Sequence, residues 1–118
     1  MKFIMRIIVT SIVAFGLSYI LDGISIDTFW TAILVAIVLA ILNAIIKPIL
    51  IILTLPITLL TLGLFLFVIN ALIILFAERL ITGFKVDGFW WALLFSLLLS
   101  LVTSLMYREE KKEKSHNS

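Results

Sequence analysis

Between Phe29 and Ala77 the chain carries one ionisable side chain, Lys47, and two amides, Asn43 and Asn70. Asn43 precedes Lys47 by four residues, so a helix would place both on one face. Such groups can form a solute or ion site, or simply make cross-helix hydrogen bonds. A second candidate is seryl. Ser96, Ser100 and Ser104 recur every fourth residue, which sets their hydroxyls along one helix face. That stripe can line a water path or act as a close-packing seam. Glu78 and Arg79 end an apolar run, where long side chains reach interfacial water. Asp27 and Asp87 each precede an apolar run, as helix caps do. With one histidine, no cysteine and His116 in a charged tail, metal or acid–base catalysis has little to work with. No nucleophile triad, glycine-rich phosphate loop or His/Cys metal spacing is present in the sequence. No enzyme, cofactor or metal is expected.

The segments that position these residues must lie in lipid. Hydrophobic residues make up 64% of the 118 and charged residues 14%, against about 45–50% and about 25% in soluble domains. A small soluble domain has too little interior to hide that much apolar surface. An integral membrane protein is expected, with the bilayer as its partner, a homo-oligomer as a further possibility, and no nucleic acid. The start, Met1-Lys2-Phe3-Ile4-Met5-Arg6, resembles the basic region of a signal peptide. Without a small-x-small cleavage site before a soluble domain, it reads as an uncleaved first span.

Four spans follow from the apolar runs. The first covers residues 3–21, and nineteen residues reach about 28 Å, close to the hydrocarbon thickness. The second covers about 28–46, with Asp27 as cap and Lys47-Pro48 as exit. The third covers about 62–80 and the fourth about 88–107, with Asp87 as cap. The charged stretch 108–118 is expected to be a disordered tail. For residues 48–61 three arrangements stay open: a second helix continuing to about Leu53 before a turn at Thr54-Leu55-Pro56, an interfacial segment, or a re-entrant loop.

An even number of spans puts both termini on one side. Seven of the nine basic residues then share that side: Lys2, Arg6, Lys47, Arg108, Lys111, Lys112 and Lys114. The positive-inside tendency makes it the cytoplasm. Trp30, Trp90 and Trp91 fall at the opposite interface, where indoles are favoured.

The chain also repeats itself. Gly23-Ile24-Ser25-Ile26-Asp27-Thr28-Phe29-Trp30 returns sixty residues later as Gly83-Phe84-Lys85-Val86-Asp87-Gly88-Phe89-Trp90. From 20 to 46, seven of twenty-seven pairs at that offset are identical. A small-residue stripe, Ala32-Ala36-Ala40-Ala44, corresponds to Ala92-Ser96-Ser100-Ser104, and Thr10-Ala14-Ser18 offers a matching face. Without a hydrophobic drive in lipid, such seams let helices approach closely. The expected fold is an all-α membrane domain over 1–107: repeat 1 at about 3–46, a linker at 47–61 and repeat 2 at about 62–107. It forms two duplicated hairpins that enter the bilayer the same way, related by a pseudo-twofold axis along its normal.

The second loop copy, with Asn43-Ala44-Ile45-Ile46-Lys47-Pro48, Leu53-Thr54-Leu55-Pro56-Ile57-Thr58 and Thr61-Leu62-Gly63-Leu64-Phe65, resembles the small bacterial membrane proteins grouped as phage holin family proteins of superfamily IV, or YvlD-like. The likeness runs from residue 1 to about 107. It implies a bacterial cytoplasmic-membrane protein and no catalytic residues. The leading expectation is a structural or envelope-stress role. A true holin that oligomerises into lesions is one alternative, with Ser96, Ser100 and Ser104 lining the hole. A small channel or transporter is another, with Asn43, Lys47 and Asn70 facing one cavity.

Overall fold

The computed structural model describes residues 2–116, with side chains through Met106. Its elements are α1 (Lys2–Ile20), β1 (Ile24–Ile26), α2 (Phe29–Leu53), α3 (Leu55–Leu60), α4 (Phe65–Leu80), β2 (Phe84–Val86) and α5 (Phe89–His116). Apolar runs of this length become helices because lipid offers backbone amides and carbonyls no partner outside the segment. By length and composition α1, α2 and the Phe89–Met106 part of α5 suffice to cross a membrane. At 16 residues, α4 is shorter. Large apolar side chains such as Ile12, Ile41, Ile52, Leu72 and Leu101 are exposed along the helices. That is the surface of a protein solvated by lipid.

The loops depart from an all-α expectation. β1 and β2 pair antiparallel with Ile24 opposite Val86, Ser25 opposite Lys85 and Ile26 opposite Phe84. Ser25 and Lys85 hold the same place in the two motif copies, so the copies meet at their matching residue. The Asp27 amide donates to the Gly83 carbonyl at 3.0 Å, and the Asp87 amide donates to the Gly23 carbonyl at 2.8 Å. One bond is thus made twice with the roles exchanged. Ile24, Ile26, Phe84 and Val86 are buried while Ser25 and Lys85 are exposed, the alternation a pleated pair requires. This pairing clasps the α1–α2 and α4–α5 segments together at one end.

The clasp displaces the expected caps. Asp27 and Asp87 lie in the extended clasp backbone, and the helices begin two residues later. Thr28 caps α2, its hydroxyl accepting from the Thr31 amide at 3.2 Å. Gly88, at φ +108°, holds the corresponding position before α5. Thr28→Ala is expected to lower stability by about 1 kcal/mol, read as a reduced melting temperature of the purified protein in detergent.

The second helix runs past Ile46, and of the three arrangements open for 48–61 the structure takes the first, a helix continuing to Leu53 before a turn at Thr54. α2 continues through Lys47 and Pro48 to Leu53 and turns at Thr54, which bonds back to the Leu50 carbonyl at 2.7 Å. Leaving the helix at Pro48 would strip hydrogen bonds from a whole apolar segment, whereas the proline removes one. Pro56 then sits in the first turn of α3, where a missing amide costs nothing. The Thr61 hydroxyl accepts from the Phe65 amide at 3.1 Å and joins α3 to α4. Between them Leu62 and Gly63 take φ of +55° and +90°. Each element of the Leu-Thr-Leu-Pro and Thr-Leu-Gly sequences therefore shapes one corner. At the other end of the chain, where a disordered tail is expected from Arg108, α5 runs on to His116. Its glutamates and lysines are good helix formers and prolong a helix already nucleated in lipid. Residues 117 and 118 lie outside the described ones.

α1 packs on α2 and α4 on α5, and the contacts α2–α4 and α1–α5 close the ring. α2 and α5 face one another across a diagonal, with no close backbone approach between them among the described residues. Part of the core lies under the clasp. There Val35, Phe84 and Phe95 are fully buried and the two phenyl rings stand 6.0 Å apart.

Candidate functional site

Away from the clasp, the diagonal between α2 and α5 opens into a cleft of about 570 Å³. Phe3, Arg6, Ile7 and Thr10 of α1 form one wall. Ala36, Leu39, Ala40, Asn43 and Ala44 of α2 form the second, and Leu99, Ser100, Thr103 and Ser104 of α5 the third. Eight of these residues are repeat counterparts: Leu39 with Leu99, Ala40 with Ser100, Asn43 with Thr103 and Ala44 with Ser104. The cleft is therefore lined in part by matching positions of the two sequence copies. Its cause is side-chain volume. Near the clasp the equivalent pair Val35 and Phe95 is fully buried, whereas further along the helices alanine and serine have too little volume to close the gap.

The lining is polar on three sides. Thr10, Ser100, Thr103 and Ser104 bring hydroxyls, Asn43 an amide and Arg6 a guanidinium. The Thr103 hydroxyl donates to the Leu99 carbonyl at 2.7 Å, which leaves its lone pairs as acceptors. Pro48 withdraws the amide that would otherwise bond the Ala44 carbonyl, so α2 is under-satisfied beside the cleft. Among the described lining residues Arg6 carries the charge. No carboxylate, imidazole or thiol stands among them. This arrangement can bind and orient a polar group, but offers no general acid or base.

The cleft gathers some of the residues singled out from the sequence and leaves others apart. Asn43, Ser100 and Ser104 line it. Ser96 is buried one turn nearer the clasp and donates to the Leu93 carbonyl at 2.9 Å. Lys47 and Asn70 are half-buried on α2 and α4 and do not belong to the lining. Gly23, Asp27, Gly83 and Asp87 build the clasp at the opposite end. Trp30 and Trp90 flank it, 79% and 77% exposed, as indoles at an interface are. Arg6, Thr10 and Thr103 are the polar lining residues that the sequence did not mark as candidate site residues. Thr103 had a signal, since it is the counterpart of Asn43. Thr10 is the counterpart of Asn70, yet the repeat is not symmetric enough to bring Asn70 in.

Glu78 also differs from the interfacial anchor expected of it. It is half-buried, and its carboxylate accepts from the Val86 amide, which ties the end of α4 to β2. Arg79 beside it is exposed.

Known proteins match this chain over nearly all its length. Over residues 1–105 it matches the family described as Mycobacterial 4 TMS phage holin, superfamily IV. It is 38% identical over 108 residues to the Uncharacterized membrane protein YvlD of Bacillus subtilis, covering 91% of each chain. It is 46% identical over 77 residues to an uncharacterized protein of Streptomyces coelicolor, covering 62% of each. No solved structure matches it. The motif copies, the apolar helices and this agreement along the sequence place the chain as a membrane protein of the superfamily IV phage holin family.

Proposed function

We propose that this is a non-enzymatic, four-span protein of the bacterial cytoplasmic membrane with a structural or envelope-stress role, and not a lesion-forming holin. The observation that carries this reading is where the small-residue stripe goes. Ala32, Ala36, Ala92 and Ser96 are buried within the chain, and Ser100 and Ser104, though exposed, line a cleft between α1, α2 and α5. A lesion needs a polar face turned outward towards neighbouring copies, whereas exposed positions outside the cleft such as Ile12, Ile41, Leu72 and Leu101 are apolar. The clasp adds to this, because it holds the two hairpins together.

In this reading α4 is the third of the four spans. Its 16 residues reach about 24 Å, short of the hydrocarbon core by an amount that local thinning accommodates at modest cost. Two hairpins of two spans each enter the bilayer alike, which supports a twofold axis along the membrane normal through Ser25 and Lys85. The distribution of basic residues supports cytoplasmic termini. The cleft would then open towards the cytoplasm, and the clasp would close the external end.

Membrane potential tests the reading. Induced expression to high levels is expected to leave cells polarised, as reported by a potential-sensitive dye. Abrupt depolarisation at a fixed time after induction would overturn it in favour of lesion formation. The polar cleft favours a second reading, a small conduit. Under that reading Ser100→Leu blocks solute flux in proteoliposomes while the protein still folds, and equal flux in the variant dismisses it.

A further inference from the structure

We propose that the corner joining α3 to α4, residues 59–64, is sunk just beneath the headgroups of the cytoplasmic leaflet, with acyl chains as its partner. The chain then turns back within lipid instead of crossing the cytosol, an assignment that rests on the four-span reading above. The first ground is the backbone. Irregular segments are kept out of hydrocarbon because their amides find no partner there. Here seven consecutive amides, from Thr61 to Phe67, all bond within the chain. Thr61 donates to the Ile57 carbonyl at 3.0 Å, Leu62 to Leu59 at 3.2 Å and Gly63 to Thr58 at 2.8 Å. Leu64, Leu66 and Phe67 donate to the carbonyls of Thr61, Gly63 and Leu64, and Phe65 to the Thr61 hydroxyl. The threonines follow suit: the Thr54 and Thr61 hydroxyls donate to the Leu50 and Ile57 carbonyls, and the Thr58 oxygen is buried. A turn in water needs none of this, because water completes such bonds.

The second ground is what the corner presents. No residue from Pro48 to Ala77 is ionisable, and Leu60 and Leu62 are 85% and 93% exposed. Leu62 also has φ +55°, a conformation that glycine or asparagine ordinarily fills. A leucine held there, its side chain clear of the protein, gains nothing from water and gains burial among acyl chains. The third ground is length. Measured along the helices from the clasp, the 25 residues of α2 reach about 37 Å and the 16 of α4 about 24 Å. The chain must therefore climb back by about 13 Å between them, of which the six residues of α3 supply about 9 Å. α4 thus begins inside a core about 30 Å thick, and sinking its corner reduces the thinning its length would otherwise demand. A depth of about 5–10 Å is usual for apolar segments at this boundary.

The native chain has no cysteine, so single cysteines in the full-length protein report position. Right-side-out and inverted membrane vesicles are treated with a charged, impermeant maleimide. Leu60→Cys and Leu62→Cys should lose labelling from both sides and regain it in denaturing detergent. Ser25→Cys should be labelled from the external side only and Lys2→Cys from the cytoplasmic side only. A nitroxide attached at position 62 should then collide more often with oxygen than with a water-soluble nickel chelate, as one at the lipid-facing position 101 does. Cytoplasmic labelling of Leu62→Cys, with Ser25→Cys and Lys2→Cys as expected, overturns the proposal and leaves the four spans standing. Labelling of Ser25→Cys and Lys2→Cys from the same side removes the four spans and the proposal together. Protection at position 62 with few collisions of either kind means that a second copy of the chain covers the corner, which overturns the assignment to lipid.

Discussion

Gly23→Ala destabilises the protein by about 3 kcal/mol, at the upper end for an overpacked position, whereas Gly16→Ala on α1 stabilises it by about 0.5–1 kcal/mol. The two substitutions add the same methyl group. At Gly16 nothing lies within 4 Å of the new carbon, so only the backbone entropy gain remains. At Gly23 the carbon would fall 2.2 Å from Cγ and Cδ2 of Trp91 and 2.4 Å from Cδ1. Those atoms form the body of the indole, not its tip, so no small rotation relieves the clash. Nor can the backbone retreat freely, because the Gly23 carbonyl accepts the Asp87 amide. The counterpart glycine is needed for another reason. Gly83 has φ +97°, and a carbon there would sit 2.9 Å from an Asp27 carboxylate oxygen. One glycine makes room for a ring, and the other supplies a backbone conformation that L residues rarely adopt.

A double-mutant cycle identifies the cause. If the indole is the obstacle, Gly23→Ala should cost far less in a Trp91→Ala background, with a coupling of about 1–3 kcal/mol. Melting temperatures of the four proteins in one detergent give the answer. An equal cost with and without the indole would show that the glycine serves some need other than contact with Trp91.

These residues also show how far the sequence could be read. The repeat was visible because Gly, Asp and Phe-Trp recur among residues that otherwise resemble any apolar span. What the repeat builds was hidden, since three residues are too few to display a strand period. Asp27 and Asp87 looked like caps because an acidic residue before an apolar run is the ordinary signal. They are instead held in extended backbone by bonds to glycines some sixty residues away. Pro48 looked like an exit because a proline costs a water-exposed helix about 3 kcal/mol. In lipid the alternative to the helix is worse.

The cleft was half legible. Asn43, Ser100 and Ser104 stand out as polar groups on small-residue faces, but spacing alone does not say whether a stripe closes or gapes. That depends on the residues opposite: Val35 and Phe95 are fully buried at one level, and Ala40 and Ser100 line the cleft further along. Arg6 was read for topology, as one more basic residue at a membrane face, and nothing local connects it to α5. Only the ring order of the helices does.

That order rests on the clasp, whose pairing can be fixed chemically. Ser25→Cys with Lys85→Cys should form an intramolecular disulfide nearly completely under mild oxidation. The two positions are directly opposite and both are exposed. The bonds joining Asp27 to Gly83 and Asp87 to Gly23, taken with the alternation of an antiparallel ladder, make Ser25–Lys85 a hydrogen-bonded pair. Its Cα atoms should be about 5.5 Å apart, a separation disulfides commonly span. The native chain has no cysteine, so every bridge reports on the introduced pair. Intact mass should show the loss of two hydrogens and gels no dimer. Ser25→Cys with Lys47→Cys is the control, since Lys47 lies five turns along α2 from the clasp and should remain reduced. The bridge should also raise the melting temperature, because it closes a long loop in the unfolded chain. Disulfide-linked dimers would mean that the strands pair between chains. Failure to link at all would remove the clasp, and with it the helix order that forms the cleft.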